Sequence, residues 1–491
     1  MKKNTIFLIF LLLFTYSSIS KDKRYKNIFT DKESIGGKKI KKLASKELKF
    51  SFPVEGREYL KFKVKNLTIY FYPEKIFPTV RLHGYIKAGE IYDTKKQVSK
   101  LTALLLRESD TQKMKNREIN DVLDFDGSQL EFIPGRDWVE IDGKYLIENE
   151  ENFLKSLSYL VARPIFSEDK LKVVKKRLKG EAKRSDDVPF LLCRKLFYKI
   201  IYGNHPYGYF YTAEGIDDVG IEDVKSFYNK FYTPGRIVLA FSGDIKTGRI
   251  ISALKKYLGE SFLTREEHRA TIPEVKMEFK PGVYICEKKH VTQAAIYFGR
   301  LIKIEKERDL YGISLFNHIL GGSSFASKYT QQIRDIEGIA YRVDSKFETD
   351  NLTGALFLSR CRTKLESTYR AIADMLWIQD GFVNRRITAH EFEMGRSGLG
   401  NGFIKNFNTV DNILNLIVKN EILGRNISIL KNFRKEVYNL SYEDLVEAAK
   451  RVVSPENYTY VLVGDLKEYE GRLKKFGKIY RVDEKGNMIK K

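Results

Sequence analysis

The chain has few of the residues that build disulfide frameworks and metal sites. Its 491 residues include three cysteines, Cys193, Cys286 and Cys361, and none of them belongs to a Cys-x-x-Cys pair. This spacing argues against a structural zinc site and against disulfides, so we expect each thiol to be a small buried apolar group. The six histidines include no pair at a spacing of three or four residues, at which one helix face can hold a metal ion. We therefore interpret single histidines such as His205 as structural.

Long apolar runs are also scarce. The run from residue 6 to residue 14 is about half of the roughly 20 residues that a membrane-spanning helix needs. Two lysines precede it and small serines follow it, the last of them Ser20, as in a secretory signal peptide. We predict a signal peptide over residues 1–20, cleaved near Ser20, and export to the periplasm or cell envelope. An uncleaved anchor is the alternative.

The chain has too few acidic residues to balance its basic ones, and its formal net charge is +23. Residues 21–49 carry eleven basic and four acidic side chains, and residues 471–491 carry eight and two. The excess thus lies mainly in a basic N-terminal extension (residues 21–53) and a basic tail (residues 469–491), which we expect to be solvated. No nucleic-acid recognition motif accompanies the charge, so we expect no nucleic-acid partner. Peripheral contact with an anionic membrane surface is compatible with both ends.

What the sequence does contain is an internal repeat. Ile221-Glu-Asp-Val224, Pro234 and Gly243-Asp244 recur as Tyr442-Glu-Asp-Leu445, Pro455 and Gly464-Asp465, each 221 residues later. A constant offset of this length predicts two copies of one domain. We place the N-terminal domain at residues 54–257, a charged linker at 258–282 and the C-terminal domain at 283–468.

Periodicity predicts a similar set of elements in both copies. Alternating apolar residues indicate strands at 67–72, 79–86, 129–133, 138–141, 236–242 and 458–463. Helical spacing indicates helices near 94–108, 115–124, 151–162, 168–185, 189–201, 305–320, 324–335, 364–381, 388–398 and 408–423. Strands followed by runs of helix predict an α+β fold, in which each domain is a mainly antiparallel sheet covered by helices on one face.

Several short motifs, taken in their order and spacing, resemble those of one peptidase family. They are Ala88-Gly89, Arg117-Glu-Ile119, Gly127, Asn204-His-Pro-Tyr-Gly208, Phe227-Tyr228, Tyr232-x-Pro234, Leu320-Gly-Gly-Ser-Ser-Phe325 and Arg334-Asp-Ile-Glu-Gly-Ile-Ala-Tyr341. With them the chain resembles the pitrilysin/insulinase zinc metallopeptidase family, in the short two-domain form of the mitochondrial processing peptidase and its bacterial relatives. The resemblance extends from about residue 55 to residue 468.

The resemblance implies a His-x-x-Glu-His metal motif on a helix of the first domain, and this chain lacks it. The aligned positions are Ala103, Leu106 and Arg107, after a capping-box pattern of Thr94 and Gln97 that would begin the helix. Methyl and isobutyl groups donate no lone pair, and a guanidinium would bring a permanent cation to the metal. The aligned positions are therefore degenerate.

Glu181 falls where the family has a further zinc ligand. One carboxylate does not hold zinc, so we interpret Glu181 as a helix-surface or salt-bridged residue. No Ser/His/Asp or Cys/His arrangement can be defended from the sequence either. We therefore predict that the chain has no catalytic residue, binds no metal and is inactive alone.

By the same resemblance, the second domain keeps residues that bind the substrate. Arg334 and Tyr341 have the spacing of the family's Arg/Tyr pair, whose guanidinium and phenol donate hydrogen bonds to peptide oxygens. Gly321 and Gly322 correspond to a glycine-rich loop that contacts the substrate in the non-catalytic subunit of the processing peptidase. The alternatives are that Arg334 pairs with a neighbouring carboxylate, that Tyr341 fills a strand, and that the glycines form a simple turn.

The resemblance implies a division of labour in which one subunit holds zinc and a paralogue holds the Arg/Tyr pair. We predict that the chain is the non-catalytic, peptide-binding subunit of an exported heterodimer, with zinc expected only in the paralogous partner. The alternative is a pseudopeptidase scaffold or assembly protein of the cell envelope. A self-sufficient zinc metalloendopeptidase is least favoured, because the metal-binding residues are missing.

Overall fold

The computed structural model describes residues 51–275, 280–323, 325–349 and 354–489. The predicted signal peptide and nearly all of the predicted basic extension lie outside the described residues. Within the described part of the chain, no helix is both long and apolar enough to span a membrane.

In the first half, most elements begin and end close to the predicted bounds. The strands are β1 (Leu60–Val64), β2 (Leu67–Pro73), β3 (Thr79–Ile86), β4 (Asp110–Thr111), β5 (Gln129–Pro134), β6 (Val139–Leu146), β7 (Pro164–Ile165) and β8 (Ile237–Gly243). The helices are α1 (Val98–Glu108), α2 (Asn116–Phe125), α3 (Glu150–Ala162), α4 (Glu168–Asp187), α5 (Pro189–Tyr202), α6 (Ala213–Asp218), α7 (Ile221–Phe231), α8 (Thr247–Leu258) and α9 (Glu260–Leu263). The prediction gave no bounds for β1, β4, β7, α6, α7, α8 and α9.

The second half repeats this arrangement. The strands are β9 (Gly282–Glu287), β10 (Gln293–Ile302), β11 (Ala340–Glu348), β12 (Ala355–Lys364), β13 (Thr459–Gly464) and β14 (Ile479–Arg481). The helices are α10 (Glu307–Asn317), α11 (Thr368–Val383), α12 (Ala389–Ile404), α13 (Val410–Ile422), α14 (Ser428–Tyr438), α15 (Tyr442–Val452) and α16 (Glu470–Leu473), with π-helical segments at His318–Gly322 and Thr330–Ile336.

Each half forms one large sheet. The strand order is β1-β2-β8-β3-β6-β5 in the first half and β11-β12-β10-β13-β9-β14 in the second. Neighbouring strands are antiparallel except for the pairs β2–β8, β9–β13 and β9–β14, which are parallel. Strands β8 and β13 are buried at every residue, as strands covered on both faces must be. The predicted α+β class with mainly antiparallel sheets is confirmed.

A helix of the opposite half covers the second face of each sheet. Helix α5 of the first half packs on β10 and β13, and α13 of the second half packs on β2, β3 and β8. These helices begin at Pro189 and Val410, so they follow the 221-residue offset of the repeat. The prediction that helices cover one face of each sheet is therefore incomplete. This reciprocal exchange joins side chains of both halves in common apolar clusters.

The three cysteines are free and buried, as predicted. Cys193 lies on α5, where its thiol donates to the backbone oxygens of Ala295 at 3.4 Å and Val461 at 3.2 Å. Burial raises the pKa of all three thiols above the usual value. They therefore stay protonated near neutral pH and pack as small apolar groups.

The prediction of a solvated basic tail after residue 469 is wrong for its described residues. Strand β14 pairs with β9, and Tyr480 stacks on Tyr284 with their ring centroids 4.8 Å apart. Val482 is buried, and Lys485 forms an ion pair of 2.7 Å with Glu214 of the first half. The prediction of a solvated tail rested on the net charge of residues 469–491. Net charge does not reflect the few apolar residues by which this segment packs on the second sheet.

Candidate functional site

Helix α1, at the expected metal position, begins differently from the prediction. The carboxylate of Asp93 accepts hydrogen bonds from the backbone N–H groups of Gln97 and Ser99, both at 2.8 Å. Gln97 has a left-handed backbone conformation with φ of 74°, so the predicted capping box of Thr94 and Gln97 is wrong. Burial raises the pKa of Asp93 to about 7. A buried carboxyl therefore fixes the start of α1.

The aligned positions on α1 offer no metal-binding group. Ala103 and Leu106 are fully buried in the apolar core of the first half. Arg107 donates through Nε to the backbone oxygen of Leu130 at 2.8 Å and through Nη1 to Asn120 Oδ1 at 2.6 Å. Its guanidinium therefore ties α1 to β5 and α2. These residues do not fit zinc, because they supply no lone pair and two of them lie inside packed core.

A charged cluster lies beside the aligned positions. Lys100 Nζ is 3.6 Å from the ring centroid of Tyr211, and the Tyr211 hydroxyl donates to the carboxylate of Glu90. Burial lowers the pKa of Lys100, while Glu90 and Glu181 act in the opposite direction. Glu181 itself is exposed on α4, as expected for a helix-surface residue. Among the described residues, no three histidine, cysteine, aspartate or glutamate side chains are grouped closely enough to hold a metal ion.

A cavity of about 890 Å³ lies between the two halves. Its lining comprises Gly135, Arg136, Asp137, Trp138, Tyr202, Tyr207, Asn317, Gly321, Gly322, Thr330, Arg334, every residue from Tyr341 to Thr349, and Arg360. All four candidates for substrate binding line it, and the degenerate metal positions do not. The structure thus brings the retained motif together and separates it from α1.

Arg334 lies on the π-helical segment Thr330–Ile336. Its guanidinium carbon is 5.1 Å from the ring centroid of Phe325 and 5.2 Å from that of Tyr341. The guanidinium Nε is also 3.8 Å from the carboxylate of Asp335, so the alternative of a neighbouring ion pair is correct in part. The two rings hold the cation at the cavity wall. π-Helical turns occur frequently at functional sites.

Tyr341 belongs to β11 but lies outside the regular pairing of that strand. The register between β11 and β12 passes from the pair Ala340–Thr363 to the pair Arg342–Arg362, which leaves Tyr341 in a β-bulge. Its side chain is 79% exposed and lines the cavity. A bulge turns one side chain out of the regular alternation of the strand, and here it presents the phenol beside Arg334.

The two glycines permit a close approach rather than a simple turn. A Cβ atom on Gly321 would lie 2.6 Å from the backbone nitrogen of Ser345 on β11. A Cβ atom on Gly322 would lie 2.9 Å from the backbone oxygen of Asn317. The hydroxyl of Ser345 in turn donates to Asn317 Oδ1 at 2.8 Å. Only glycine at position 321 lets the segment pack directly against β11, and glycine at position 322 lets it pack against Asn317 of the preceding turn.

Sequence reasoning missed the residues that the first half contributes. Arg136 lies between β5 and β6, with its guanidinium carbon 3.8 Å from the ring centroid of Tyr198. The Tyr198 hydroxyl donates to the carboxylate of Glu348, at the end of β11, at 2.7 Å. Tyr207 donates to Asp137. Tyr207 belongs to a motif quoted above and could have been found, whereas nothing in the local sequence singles out Arg136.

Sequence reasoning also missed an unpaired sheet edge. Strand β11 is the outermost strand of its sheet among the described residues, because it pairs with β12 alone. Nine consecutive residues, from Tyr341 to Thr349, line the cavity. An edge strand carries backbone N–H and C=O groups that another extended segment can use. The cavity therefore offers a strand edge, a phenol and guanidinium groups at one place.

Residues 218–399 match the family model described as "Peptidase M16 inactive domain". The chain is 24% identical over 359 residues to the "Uncharacterized zinc protease YmxG" of Bacillus subtilis, a match that covers 71% of this chain and 83% of that protein. It is 23% identical over 410 residues to the "Non-peptidase homolog YmxG" of Helicobacter pylori, which covers 80% of this chain and 90% of that protein.

Solved structures show the same fold. The crystal structure of a peptidase M16 inactive domain from Pseudomonas fluorescens is similar with a TM-score of 0.74 and 20% identity, over 83% of this chain and 98% of that one. The structure of a protease from Helicobacter pylori is similar with a TM-score of 0.72 and 17% identity, over 82% and 99%. At these identities the likeness establishes the architecture.

Proposed function

We propose that this chain, a member of the peptidase M16 family of pitrilysin and insulinase, binds peptides for a zinc-bearing partner and does not cleave them itself. The resemblance inferred from the motifs is confirmed, and the chain is a non-peptidase type of homologue. One observation carries the proposal: Arg334 and Tyr341 line the cavity between the halves, while Ala103, Leu106 and Arg107 offer no group that could hold zinc.

The geometry supports binding of an extended peptide along β11. An added strand would use the free backbone groups of the β11 edge, which supplies affinity without demanding a particular sequence. Arg334, on the π-helical segment before β11, and Tyr341, in the bulge at the start of β11, would donate to carbonyl oxygens of the same peptide. A cavity of about 890 Å³ is within the range of ligand pockets.

We propose that a paralogous subunit, which carries His-x-x-Glu-His and zinc, hydrolyses the peptide. The two subunits would face each other and enclose a chamber that admits flexible peptides. Residues 1–20 support export to the periplasm or cell envelope, because two lysines precede a short apolar run and small serines. The basic residues after residue 20 would add peripheral contact with an anionic membrane surface.

Reconstitution tests the proposal. The mature chain from Lys21 onward is purified, its zinc content is measured, and cleavage of fluorogenic peptides is followed alone and after mixing with a His-x-x-Glu-His paralogue. We expect no bound zinc and no cleavage alone, and cleavage in the mixture. Stoichiometric zinc with cleavage by the isolated chain would contradict the proposal. A stable complex with non-peptidase proteins and no peptide binding would favour the scaffold instead.

Substitutions at the Arg/Tyr pair test the site. Arg334→Ala and Tyr341→Phe each remove hydrogen-bond donors from the cavity, so we expect each to weaken peptide binding by about tenfold. Both side chains reach the cavity surface, so the free energy of unfolding should change by less than about 0.5 kcal/mol. Lys172→Ala, on an exposed side chain of α4, is the control and should change neither quantity. Unchanged peptide affinity in both variants would remove the pair from the site.

A further inference from the structure

The cavity between the halves carries an excess of positive charge. Its lining contains five cationic side chains, Arg136, Arg334, Arg342, Lys346 and Arg360, and three carboxylates, Asp137, Asp344 and Glu348. Charged residues in a cleft act together on a ligand, because the protein walls screen them less than bulk water does. The lining therefore favours an anionic ligand over a cationic one.

The carboxylates of the lining are already engaged by protein groups. Asp344 accepts from Arg360 at 2.6 Å and lies 3.5 Å from Arg342, so one carboxylate serves two guanidinium groups. Glu348 accepts the hydroxyl of Tyr198. Asp137 likewise accepts a tyrosine hydroxyl. These contacts use the acceptors that a basic peptide would need.

Two of the five cationic side chains, Arg136 and Lys346, form no ion pair of this kind with any residue that the structure describes. Among the described residues, no carboxylate lies within ion-pair distance, 4 Å, of Arg136 or Lys346. Arg136 rests on the ring of Tyr198, and such stacking holds a guanidinium in place while leaving its N–H groups available. Glu90, which acts on Arg136 without an ion-pair contact, accepts the Tyr211 hydroxyl, and burial raises the pKa of Glu90 towards the neutral form.

The strand edge places one of these cations where a peptide side chain would meet it. Residues two apart on a strand share a face, so Arg342, Asp344, Lys346 and Glu348 lie along one face of β11. A strand added at the free edge would set its own side chains directly opposite, where opposite charges attract. An acidic side chain opposite Lys346 would be paired, and a basic one would be repelled.

We infer that the cavity selects peptides carrying a carboxylate, supplied either by an acidic side chain or by a free C-terminus, through Arg136 and Lys346. The inference rests on the proposed peptide-binding function and names its substrate class. Peptides with lysine at the same positions bind more weakly than neutral ones, because the lining repels them.

Binding of matched peptides tests the inference. Fluorescence anisotropy with the mature chain compares dye-labelled peptides that are identical except for Glu, Gln or Lys at two positions, each with a free and an amidated C-terminus. We expect the Glu peptides to bind about tenfold more tightly than the Gln peptides at low ionic strength, and salt to reduce the difference. If only the peptides with a free C-terminus bind more tightly, the terminal carboxylate is the group that the cavity recognises.

Charge reversal makes the test specific. Lys346→Glu should abolish the preference for Glu peptides and favour Lys peptides over Glu peptides. Arg136→Gln should reduce the preference, and Arg136→Lys, which keeps the charge, should preserve it. Lys172→Glu on α4 is the matched control, and thermal unfolding checks that each variant is folded.

The outcomes separate this inference from the proposed function. If all peptides bind equally, whatever their charge and C-terminus, the selection is overturned and the peptide-binding function stands. An unchanged preference in Lys346→Glu also overturns it. If no peptide binds, the proposed function and the selection fall together.

Discussion

The two halves kept one architecture but diverged around corresponding helices. Helix α1 follows β3 in the first half, and α10 follows β10 in the second. Helix α1 is regular, and its degenerate positions are packed or bonded to neighbours. Helix α10 instead runs into a π-helical segment, and a second π-helical segment and a β-bulge follow. The positions that the resemblance aligns with a metal motif lie where the backbone is regular and closed, and the Arg/Tyr motif lies where it is irregular and open.

If the proposed function is correct, this contrast explains how a chain can keep a binding site without a catalytic one. Apolar replacements at metal positions pack into the existing core, so they remove the reaction without damaging the fold. The proposed binding surface consists of a bulge, two glycines and side chains stacked at a cavity wall, and it lies elsewhere in the molecule.

Restoring the metal motif should have the largest effect. In the triple variant Ala103→His, Leu106→Glu and Arg107→His, a carboxylate would enter packed core, which we expect to destabilise the first half by about 3–5 kcal/mol. Urea unfolding and zinc analysis measure the result, and we expect no bound zinc. Leu106→Met is the control and should cost less than about 1.5 kcal/mol. A folded triple variant with one zinc per chain would show that α1 is not closed.

The exchanged helices should make each half depend on the other. Leu414 is fully buried between α13 and the first sheet, so Leu414→Ala should lower the free energy of unfolding by about 2–5 kcal/mol. Hydrogen exchange should then rise in β2 and β8, although the substitution is in the second half. Val173→Ala on an exposed side chain of α4 should change stability by less than about 0.5 kcal/mol. An increase in hydrogen exchange confined to the second half would argue against an apolar core that both halves share.

Adding a single methyl group at Gly321 should lower the stability of the protein. Gly321→Ala would place Cβ against the backbone of Ser345, which we expect to cost about 1–3 kcal/mol and to weaken peptide binding. Gly180→Ala on α4 has no neighbour within 4 Å and should be neutral or stabilising, by up to about 1 kcal/mol. Equal stability and equal peptide affinity in both variants would show that the close approach is unimportant.

The smallest effect should be a pH dependence at α13. Asp411 is 2.8 Å from His83 and 3.5 Å from Arg81 of the first half. Burial alone would raise the pKa of Asp411, but His83 and Arg81 outweigh it and lower the pKa below 3.8. A lowered pKa adds stability above the unfolded-state value, and this stability is lost as the pH falls through the folded-state value.

The denaturation midpoint of the native chain should therefore fall more steeply than that of Asp411→Asn between about pH 5 and about pH 3. Parallel curves for the two proteins would show that the Asp411 contact contributes nothing to stability.

Much of the fold could be predicted, because apolar periodicity reflects which face of an element is buried. The helix predicted near 189–201 is observed as α5, and the helix predicted near 408–423 is observed as α13. Their exchange could not be predicted, since periodicity shows that a helix has an apolar face but not which sheet it covers. The tail after residue 469 was mispredicted for a related reason, because net charge does not show where Tyr480 docks.

Some residues of the candidate site could likewise be predicted from the sequence, and others could not. Arg334, Tyr341, Gly321 and Gly322 were predicted from a motif that is local in sequence, and all line one cavity. Their role in peptide binding stays a prediction. Arg136 and Tyr198 were missed because they come from separate elements, and their contact exists only in the folded chain.

Repeats, periodicity and donor atoms are properties of the residues in order. The residue order alone therefore indicated the duplicated domain, the positions of many elements and the absence of zinc ligands at 103, 106 and 107. Only the folded chain shows that the halves exchange helices, that β11 is a free edge among the described residues, and that Arg136 and Lys346 line one cavity. These features depend on which distant strands pair and which faces pack against each other. The local pattern of apolar residues does not predict these long-range contacts.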